Sequence, residues 1–506
     1  MSQAAVESGR DLGRDLTLAC DVVVVGTGAG GAMVAREAAR AGLKVIALEE
    51  GAYSLPRDFT QREDEMLPLL FQDGGGRTTD DGAVTVLQGR GVGGSTVHNT
   101  NLCKRAPAPV LDGWGVDGWR AAELAPHYEV VERDLSVAPI DESRINRNNA
   151  ILRRGVEKLG WRGALLSHNR RGCVGSGFCE LGCSFDAKQN ALKVLVPDAI
   201  AAGARVIADC RVERVLMKHG RSEGVLARAL RRDAAGGERA GATVTVRARA
   251  VCLAGSAVGS AALALKSGLP DPSGRAGRGL RLHPGAAIAG VFDEIVEGWN
   301  GIPQSWECTE KLVFDDAPGN DERAWIVAAF AHPIGMASSL PGFGAAHMKL
   351  MRLYPRIAVL AAMVHDRSEG HVEVAGGRPV VKYALDAGDQ RALLGGMRAC
   401  AEILFAAGAR QVIVPFADPL VLSSPGELAA IVARGYRPLD PLLTAVHPMG
   451  TLALGRVVDE RGRWRGADGV WVADGSLFPT SLGGPPQLTI YAAGHKVAGH
   501  VIEALR

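Results

Sequence analysis

The sequence predicts an α/β fold that opens with a Rossmann-like unit and continues into an α+β region rich in strands. The first observation is an apolar run, residues 22–25, that leads directly into three closely spaced glycines. The second is a change of pattern between about residues 291 and 420, where strand-like runs precede a helical stretch. We therefore expect a nucleotide-binding half intertwined with a second, sheet-based half.

The opening glycines are Gly26, Gly28 and Gly31. At this spacing the first allows a tight turn, the second lets backbone approach a pyrophosphate, and the third lets the next helix pack on the strand. That helix, roughly residues 30–41, would direct N–H groups and its positive end at phosphate. A second strand, residues 44–48, ends in Glu49, whose carboxylate can accept hydrogen bonds from a ribose diol. The unit predicts an ADP-containing cofactor, and NAD and FAD both satisfy it.

A second glycine cluster separates these two cofactors. Residues 89–99 read Gly-Arg-Gly-Val-Gly-Gly-Ser-Thr-Val-His-Asn and resemble the signature of the glucose-methanol-choline (GMC) oxidoreductase family, whose cofactor is FAD. Other blocks that resemble the family follow in the family's order at residues 251–260, 447–451, 457–459 and 472–476. The resemblance implies an FAD-dependent alcohol oxidase or dehydrogenase.

The resemblance also implies how the chain divides. A discontinuous FAD-binding domain would take residues 18–105, 190–290 and 440–506. A substrate domain, whose antiparallel sheet roofs the flavin, would take residues 106–189 and 291–439. The first of its two segments contains a loop with three cysteines.

The residues expected to contact FAD come from the motifs and from the resemblance. They are Gly26, Gly28, Gly31, Glu49, Gly91, Gly94, Ser95, His98, Asn99, Val212, Asp474, Gly475, Pro486 and Gln487. Val212 occupies the position at which the family's backbone contacts adenine. His98 has the spacing at which some family members bond covalently to the flavin 8-methyl group, and a noncovalent contact is the alternative.

Periodicity predicts the main elements between these motifs. The predicted strands are residues 204–215, 243–253, 325–330, 356–364 and 371–374, and the predicted helices are residues 257–266 and 390–406.

Composition limits the classes of function. The 506 residues carry a formal net charge of +2 without a basic stripe, which argues against nucleic acid as a partner. No apolar run reaches the roughly eighteen residues that a membrane helix needs. The first twenty residues lack an apolar signal region, so a cytoplasmic location is expected. The nine cysteines are then expected to be thiols.

His447 is the predicted catalytic base. Alcohol oxidation by hydride transfer also removes the hydroxyl proton, and a neutral imidazole can accept it. The resemblance places the hydride acceptor at flavin N5. Pro486 can start a helix whose positive end stabilises charge at flavin N1 and the C2 carbonyl. The alternative is that His447 is a hydrogen-bonded core histidine.

Pro485 departs from the family pattern. Aligned with the family, it stands where an Asn or His normally assists the catalytic His, and proline cannot donate a hydrogen bond to a substrate oxygen. Loss of such a donor weakens the transition-state contact by a few kcal/mol. Gln487 is the nearest replacement in sequence, and the three histidines of the predicted roof are the others: His332, His347 and His365.

Cys173, Cys179 and Cys183 form a cysteine cluster whose spacing fits no common zinc or iron–sulfur pattern. We expect a structural loop near the flavin and no metal. His168 is the one nearby residue that could complete a metal site instead.

Apolar roof segments at residues 299–306, 325–336 and 350–363 favour a hydrophobic alcohol as substrate, although they can equally be sheet core. Oxygen, a quinone or a carrier protein could accept the electrons. Hydrolase motifs of the Gly-x-Ser-x-Gly, P-loop and His-Glu-x-x-His types are absent. Three other functions stay open: dehydrogenation of a CH–CH bond beside a carbonyl, a non-redox lyase, and flavin binding without catalysis.

Overall fold

Two large β-sheets organise the protein. The computed structural model describes residues 6–232, 238–315 and 320–506. One sheet has eight strands and is parallel through most of its width, whereas the other has nine strands that pair mainly antiparallel. The predicted α/β fold is confirmed.

The eight-stranded sheet carries the nucleotide-binding glycines. Its strands lie in the spatial order Glu7–Ser8, Arg205–Ala208, Val45–Leu48, Leu16–Val25, Glu238–Leu253, Arg221–Arg232 and Cys210–Lys218, with Val470–Val472 paired to Glu238–Leu253. Pairing is parallel from the first strand to Glu238–Leu253 and antiparallel beyond it. Helices cover this sheet, so the central residues Val22 to Val24 are fully buried.

The predicted strand over residues 204–215 is wrong as a single element. Arg205–Ala208 and Cys210–Lys218 are separate strands on different sides of the sheet, and Asp209 between them has a φ of +49°. That left-handed conformation cannot continue a strand. The N–H of Asp209 donates to the carbonyl of Gly51 at 2.9 Å, which fixes the bend beside the end of Val45–Leu48.

The helices connect and cover the sheets. They are Ala29–Arg40, Glu63–Leu70, Ala108–Gly113, Ala121–Asp134, Arg147–Leu159, Val196–Ala201, Ser256–Ser267, Pro333–Ser339, Gly344–Arg352, Ala387–Ala406, Ala429–Arg434 and Gln487–Leu505. The predicted helices at 30–41, 257–266 and 390–406 are confirmed with shifted ends. The first and last helices touch closely, because the backbone of Gly30 packs against Gly494.

The nine-stranded sheet forms the second half of the fold. Its strands are ordered Leu420–Leu422, Gln411–Val414, Gly285–Val291, Ile357–Val364, Ala324–Ala329, Trp306–Cys308 and Gly163–Leu165; Leu443–Ala445 joins Gly285–Val291, and Val84–Val86 joins Leu443–Ala445. The remaining predicted strands are confirmed with ends shifted by up to five residues. Val84–Val86 comes from a segment assigned to the FAD-binding domain, and the domain boundaries themselves stay a prediction.

A small four-stranded sheet connects distant motifs. Its order is Arg378–Lys382, Gly370–Ala375, Arg278–Arg281 and Met449–Thr451, and a two-stranded ribbon joins Val137–Pro139 to Ser167–Asn169. The pairing of Arg281 with Met449 brings the residues after Arg281 beside His447. Within the described residues, no helix is both long and apolar enough to span a bilayer.

Candidate active site

The glycine turn has the geometry of a nucleotide-binding loop. Gly26 has a φ of +96°, and a side chain there would also meet the carbonyl of Ala254. Helix Ala29–Arg40 begins directly after Gly28. A Cβ on Gly94 would lie 2.9 Å from the Cα of Gly28, so the two glycine clusters approach backbone to backbone. No side chain that the structure describes caps the start of this helix, so its first N–H groups are available to a pyrophosphate.

Glu49 lies at the end of strand Val45–Leu48 and is 6% exposed. Its Oε2 accepts from the N–H and hydroxyl of Thr27 at 3.0 and 2.9 Å, and its Oε1 accepts from the N–H of Gly51 at 3.0 Å. These donors orient the carboxylate, whose oxygens have further lone pairs for a ribose diol. Burial raises the pKa of Glu49.

The adenine position stays a prediction. Val212 lies on Cys210–Lys218, and the N–H of Cys210 donates to the carbonyl of Glu49 at 2.8 Å. The strand that contains Val212 therefore begins beside Glu49.

The second glycine cluster forms a short turn rather than an extended strand. The N–H of Gly89 donates to the hydroxyl of Ser95 at 2.8 Å, and Gly91 has a φ of +147°. His98 follows on this turn, is 7% exposed and stacks near Phe71 with 3.9 Å between ring centroids. Its Nε2 has no hydrogen-bond partner among the described residues, and burial lowers the pKa of His98 to about 3.

Asp474 and Gly475 lie beside the start of the first helix. A Cβ on Gly30 would coincide with the carbonyl oxygen of Ala473, so this segment lies against the glycine turn. The carboxylate of Asp474 accepts from the N–H of Ser476 at 2.9 Å and from the hydroxyl of Ser260 at 2.5 Å. Burial raises the pKa of Asp474.

The C-terminal helix is fastened to the second glycine cluster through Gln487, its first residue. The Gln487 Oε1 accepts from the amide of Asn99 at 2.6 Å, and its Nε2 donates to the carbonyl of Leu102 at 2.6 Å. Both ends of the amide are therefore engaged. Pro486 precedes the helix with helical dihedral angles, as expected for a residue that opens the first turn.

His447 is paired with a second histidine. Its Nδ1 lies 2.9 Å from the Nδ1 of His283, which is fully buried and whose Nε2 has no partner among the described residues. Residue 447 as a whole is partly exposed, and desolvation of its imidazole lowers the pKa of His447 to about 3. Burial also lowers the pKa of His283. Both imidazoles are neutral near pH 7.

The backbone of His283 is held independently of its ring. Its φ is +54°, a conformation that non-glycine residues adopt only where neighbours impose it. The N–H groups of Leu282 and His283 both donate to Asp366, at 2.9 and 3.1 Å, and the hydroxyl of Tyr383 also donates to that carboxylate.

Apolar and charged side chains surround this histidine pair. Trp325 lies nearly parallel to the His283 ring at 6.4 Å, and its indole N–H donates to Glu307. Glu307 also accepts from the ammonium of Lys104 at 2.6 Å. A Cβ on Gly484, the residue directly before Pro485, would lie 3.8 Å from the Lys104 side chain.

The three histidines of the predicted roof lie in different parts of the structure. His365 lies against Gly483, with its Nδ1 3.2 Å from the hydroxyl of Ser481, and it is close enough to His283 to affect its charge. His332 stacks on Phe178 at 4.4 Å, and His347 lies on the exposed helix Gly344–Arg352.

A buried lysine connects the cysteine loop to the residues that follow the second glycine cluster. The Nζ of Lys188 donates to the carbonyls of Val97, Asn99 and Cys179. All nine cysteines are free thiols, as predicted, and burial raises the pKa of Cys179 to about 11. In the part of the chain that the structure describes, no group of three or more His, Cys, Asp and Glu residues could hold a metal ion.

Comparison with known proteins places this site in a family. Residues 67–285 and 366–494 match the N-terminal and C-terminal models of the GMC oxidoreductases. An uncharacterized GMC-type oxidoreductase of Mycobacterium tuberculosis is 38% identical over 496 residues, which cover 95% of this chain and 76% of the relative. The chain belongs to the GMC oxidoreductase family. It is an FAD-dependent oxidoreductase.

Other relatives of this GMC oxidoreductase have named activities. A long-chain-alcohol oxidase of Arabidopsis thaliana is 29% identical over 527 residues, covering 97% of this chain and 69% of the relative. Among solved structures, pyridoxine 4-oxidase from Mesorbium loti superposes with a TM-score of 0.71 at 17% identity, over 95% of this chain and 99% of that one. A formate oxidase superposes with a TM-score of 0.68 at 16% identity, over 96% of this chain and 98% of that one. These two likenesses show the fold.

The residues present fit FAD. The open helix start after Gly28 suits a pyrophosphate, Glu49 suits a ribose, and the unpartnered Nε2 of His98 lies on the turn that the family signature assigns to the flavin. The individual contacts, including any covalent bond to His98, stay predictions.

Sequence reasoning missed His283. It precedes Pro284 and carries no periodic or motif signal. It is brought to His447 by the sheet pairing of two segments that are 164 residues apart.

Proposed function

We propose that this GMC oxidoreductase oxidises the CH–OH group of a hydrophobic alcohol, with His447 as the base that removes the hydroxyl proton. One observation carries the proposal: the neutral imidazole of His447 is held at Nδ1 by a buried partner, His283. Bound FAD supplies the hydride acceptor.

The hydrogen bond between the two Nδ1 atoms leaves the other nitrogen of His447 for the substrate. One proton lies between the rings, and when it is on Nδ1 of His447, Nε2 carries a lone pair. That lone pair can accept the hydroxyl proton, and His283 then accepts a hydrogen bond from the resulting imidazolium. Since burial lowers the pKa of His447 to about 3, the base form dominates throughout the neutral pH range.

Apolar packing beside His283 supports a hydrophobic substrate. Trp325 and Met363 belong to a buried cluster beside His283, together with Leu102. The family membership and the long-chain-alcohol oxidases among the relatives point the same way. Trp299 and Trp306 pack elsewhere, against Tyr354 and Arg153 respectively.

Pro485 supports a second candidate, dehydrogenation of a CH–CH bond beside a carbonyl, which needs one base and no second donor. Gln487 does not offer a free amide, because Asn99 and Leu102 engage both of its ends. Lys104, whose side chain lies beside Gly484, is a cationic donor, and it is paired with Glu307.

The test is anaerobic mixing of FAD-loaded protein with long-chain alcohols and with ketones, followed by flavin absorbance. We expect alcohols to bleach the wild-type flavin and His447→Ala to lose at least about a hundredfold in that rate while retaining FAD. The partly exposed His371 gives a matched control variant, His371→Ala, with an unchanged rate.

Each other outcome has its own meaning. Bleaching by ketones alone would support CH–CH dehydrogenation. Formation of product without any change in flavin absorbance would support a lyase. The absence of both bleaching and product would support flavin binding without catalysis. Full activity of His447→Ala would show that the base lies elsewhere. Release of hydrogen peroxide in air would separate an oxidase from a dehydrogenase.

A further inference from the structure

An exposed flap, residues 333–352, follows strand Ala324–Ala329 of the nine-stranded sheet. It consists of helices Pro333–Ser339 and Gly344–Arg352 with a short connection. One face is anchored: Met336, Leu340 and Leu350 pack on a buried cluster of the sheet. The other face is open to solvent.

The open face is unusually apolar. Phe343 is 90% exposed, Met348 is 54% exposed and Ile334 is 52% exposed. A phenylalanine left almost wholly in water is unfavourable in an isolated soluble protein, because burial of such a ring contributes about 2 kcal/mol or more. Large apolar side chains that are exposed together in one short segment indicate an interaction surface.

The same face is positively charged. Lys349 and Arg352 are exposed on helix Gly344–Arg352, and the sequence contains no Asp or Glu between Glu322 and Asp366. From the neighbouring helix Glu63–Leu70, the Glu63 carboxylate accepts from the N–H groups of Ile334 and Gly335. It caps the first flap helix and does not neutralise the cations of the second.

We propose that the flap docks on an anionic lipid surface. Exposed aromatic and thioether side chains beside cations are the pattern of interfacial helices, which insert their apolar side chains at the headgroup boundary while the cations contact lipid phosphates. Charge complementarity favours lipid over a second copy of this chain, whose flap would carry the same positive charge.

Such docking goes beyond the proposed oxidation and does not depend on it. It would bring the protein to the phase in which a hydrophobic alcohol dissolves. A binding assay without turnover therefore tests the flap separately from the chemistry.

The experiment is co-sedimentation of the FAD-loaded protein with vesicles of phosphatidylcholine, with and without an equal part of phosphatidylglycerol. We expect binding to the anionic vesicles that weakens as salt is raised, since salt screens the cations. Phe343→Ser with Met348→Ser should bind at least about tenfold more weakly. Lys349→Gln and Arg352→Gln should each lower binding about fivefold.

A matched control is Val421→Ser with Val432→Ser. These valines are 45% and 48% exposed, and Val421 lies on an edge strand of the same sheet. This variant should bind like the wild type. Equal binding of the flap variants and the wild type, or no vesicle binding at all, would overturn the proposal. Concentration-dependent dimerisation lost in Phe343→Ser would assign the face to a second copy instead.

Discussion

Gln487→Leu is expected to loosen the C-terminal helix. The Gln487 side chain is 9% exposed and makes two hydrogen bonds of 2.6 Å, to the amide of Asn99 and to the carbonyl of Leu102. Leucine fills a similar volume and makes neither bond. A buried polar group left without a partner costs about 1–3 kcal/mol. The Leu102 carbonyl is buried and the Asn99 amide is only partly buried, so we expect local stability to fall by about 2–4 kcal/mol.

Hydrogen exchange measures this loss at the helix itself. A drop of about 2–4 kcal/mol corresponds to exchange faster by about 30-fold to 1000-fold for the amides of the first turns of Gln487–Leu505. Asn99→Ala combined with Gln487→Leu gives a double-mutant cycle, and a coupling energy of about 1 kcal/mol is expected for a direct contact.

Gln487 was also a candidate for the donor missing at Pro485, and the same variant separates the two roles. If Gln487 acts only on the substrate, exchange in the helix will match the wild type while turnover collapses. That result would refute the structural reasoning.

Two further predictions concern buried histidines. His283→Leu removes the partner of His447 and should slow substrate-dependent bleaching by about tenfold or more, whereas His283→Asn keeps a polar group at the Nδ1 position and should recover most of the rate; equal rates for the two variants would contradict an orienting role. His168 is 1% exposed, and burial lowers its pKa to about 3. Because its folded pKa lies below the unfolded value, His168 takes up a proton in the unfolded chain but not in the native state as pH falls below about 6.5, which favours unfolding. The stability of His168→Phe relative to wild type should therefore rise by up to about 1.4 kcal/mol per pH unit on acidification. Chemical denaturation at several pH values checks this, and a constant difference would contradict it.

The elements that could be predicted from the sequence are those whose geometry is fixed by residues close together in the chain. The turn at Gly26 and Gly28, the helix after it and Glu49 lie within one strand–helix–strand unit, where backbone sterics fix the geometry from neighbouring residues. The helix at Gln487–Leu505 was likewise predictable from the two prolines before it and the apolar periodicity that follows.

Features that depend on long-range packing could not be predicted from the sequence. The break at Asp209 depends on a hydrogen bond to Gly51, far away in the chain. The predicted lining segment at residues 325–336 contains both the buried Trp325 and the exposed Ile334. Apolar composition does not reveal which face of an element meets solvent, so the sequence could not separate substrate wall, sheet core and exposed flap.

Because the partner of His447 is a neutral histidine and not a carboxylate, it affects the charge state of His447 differently. A carboxylate at that position would stabilise the imidazolium in the resting protein and raise the pKa of the base, as an opposite charge does at close range. A neutral, buried imidazole can orient the ring through Nδ1 without adding that charge. His447 therefore keeps its lone pair at neutral pH, and under the proposed mechanism His283 would stabilise the imidazolium only after a substrate delivers a proton.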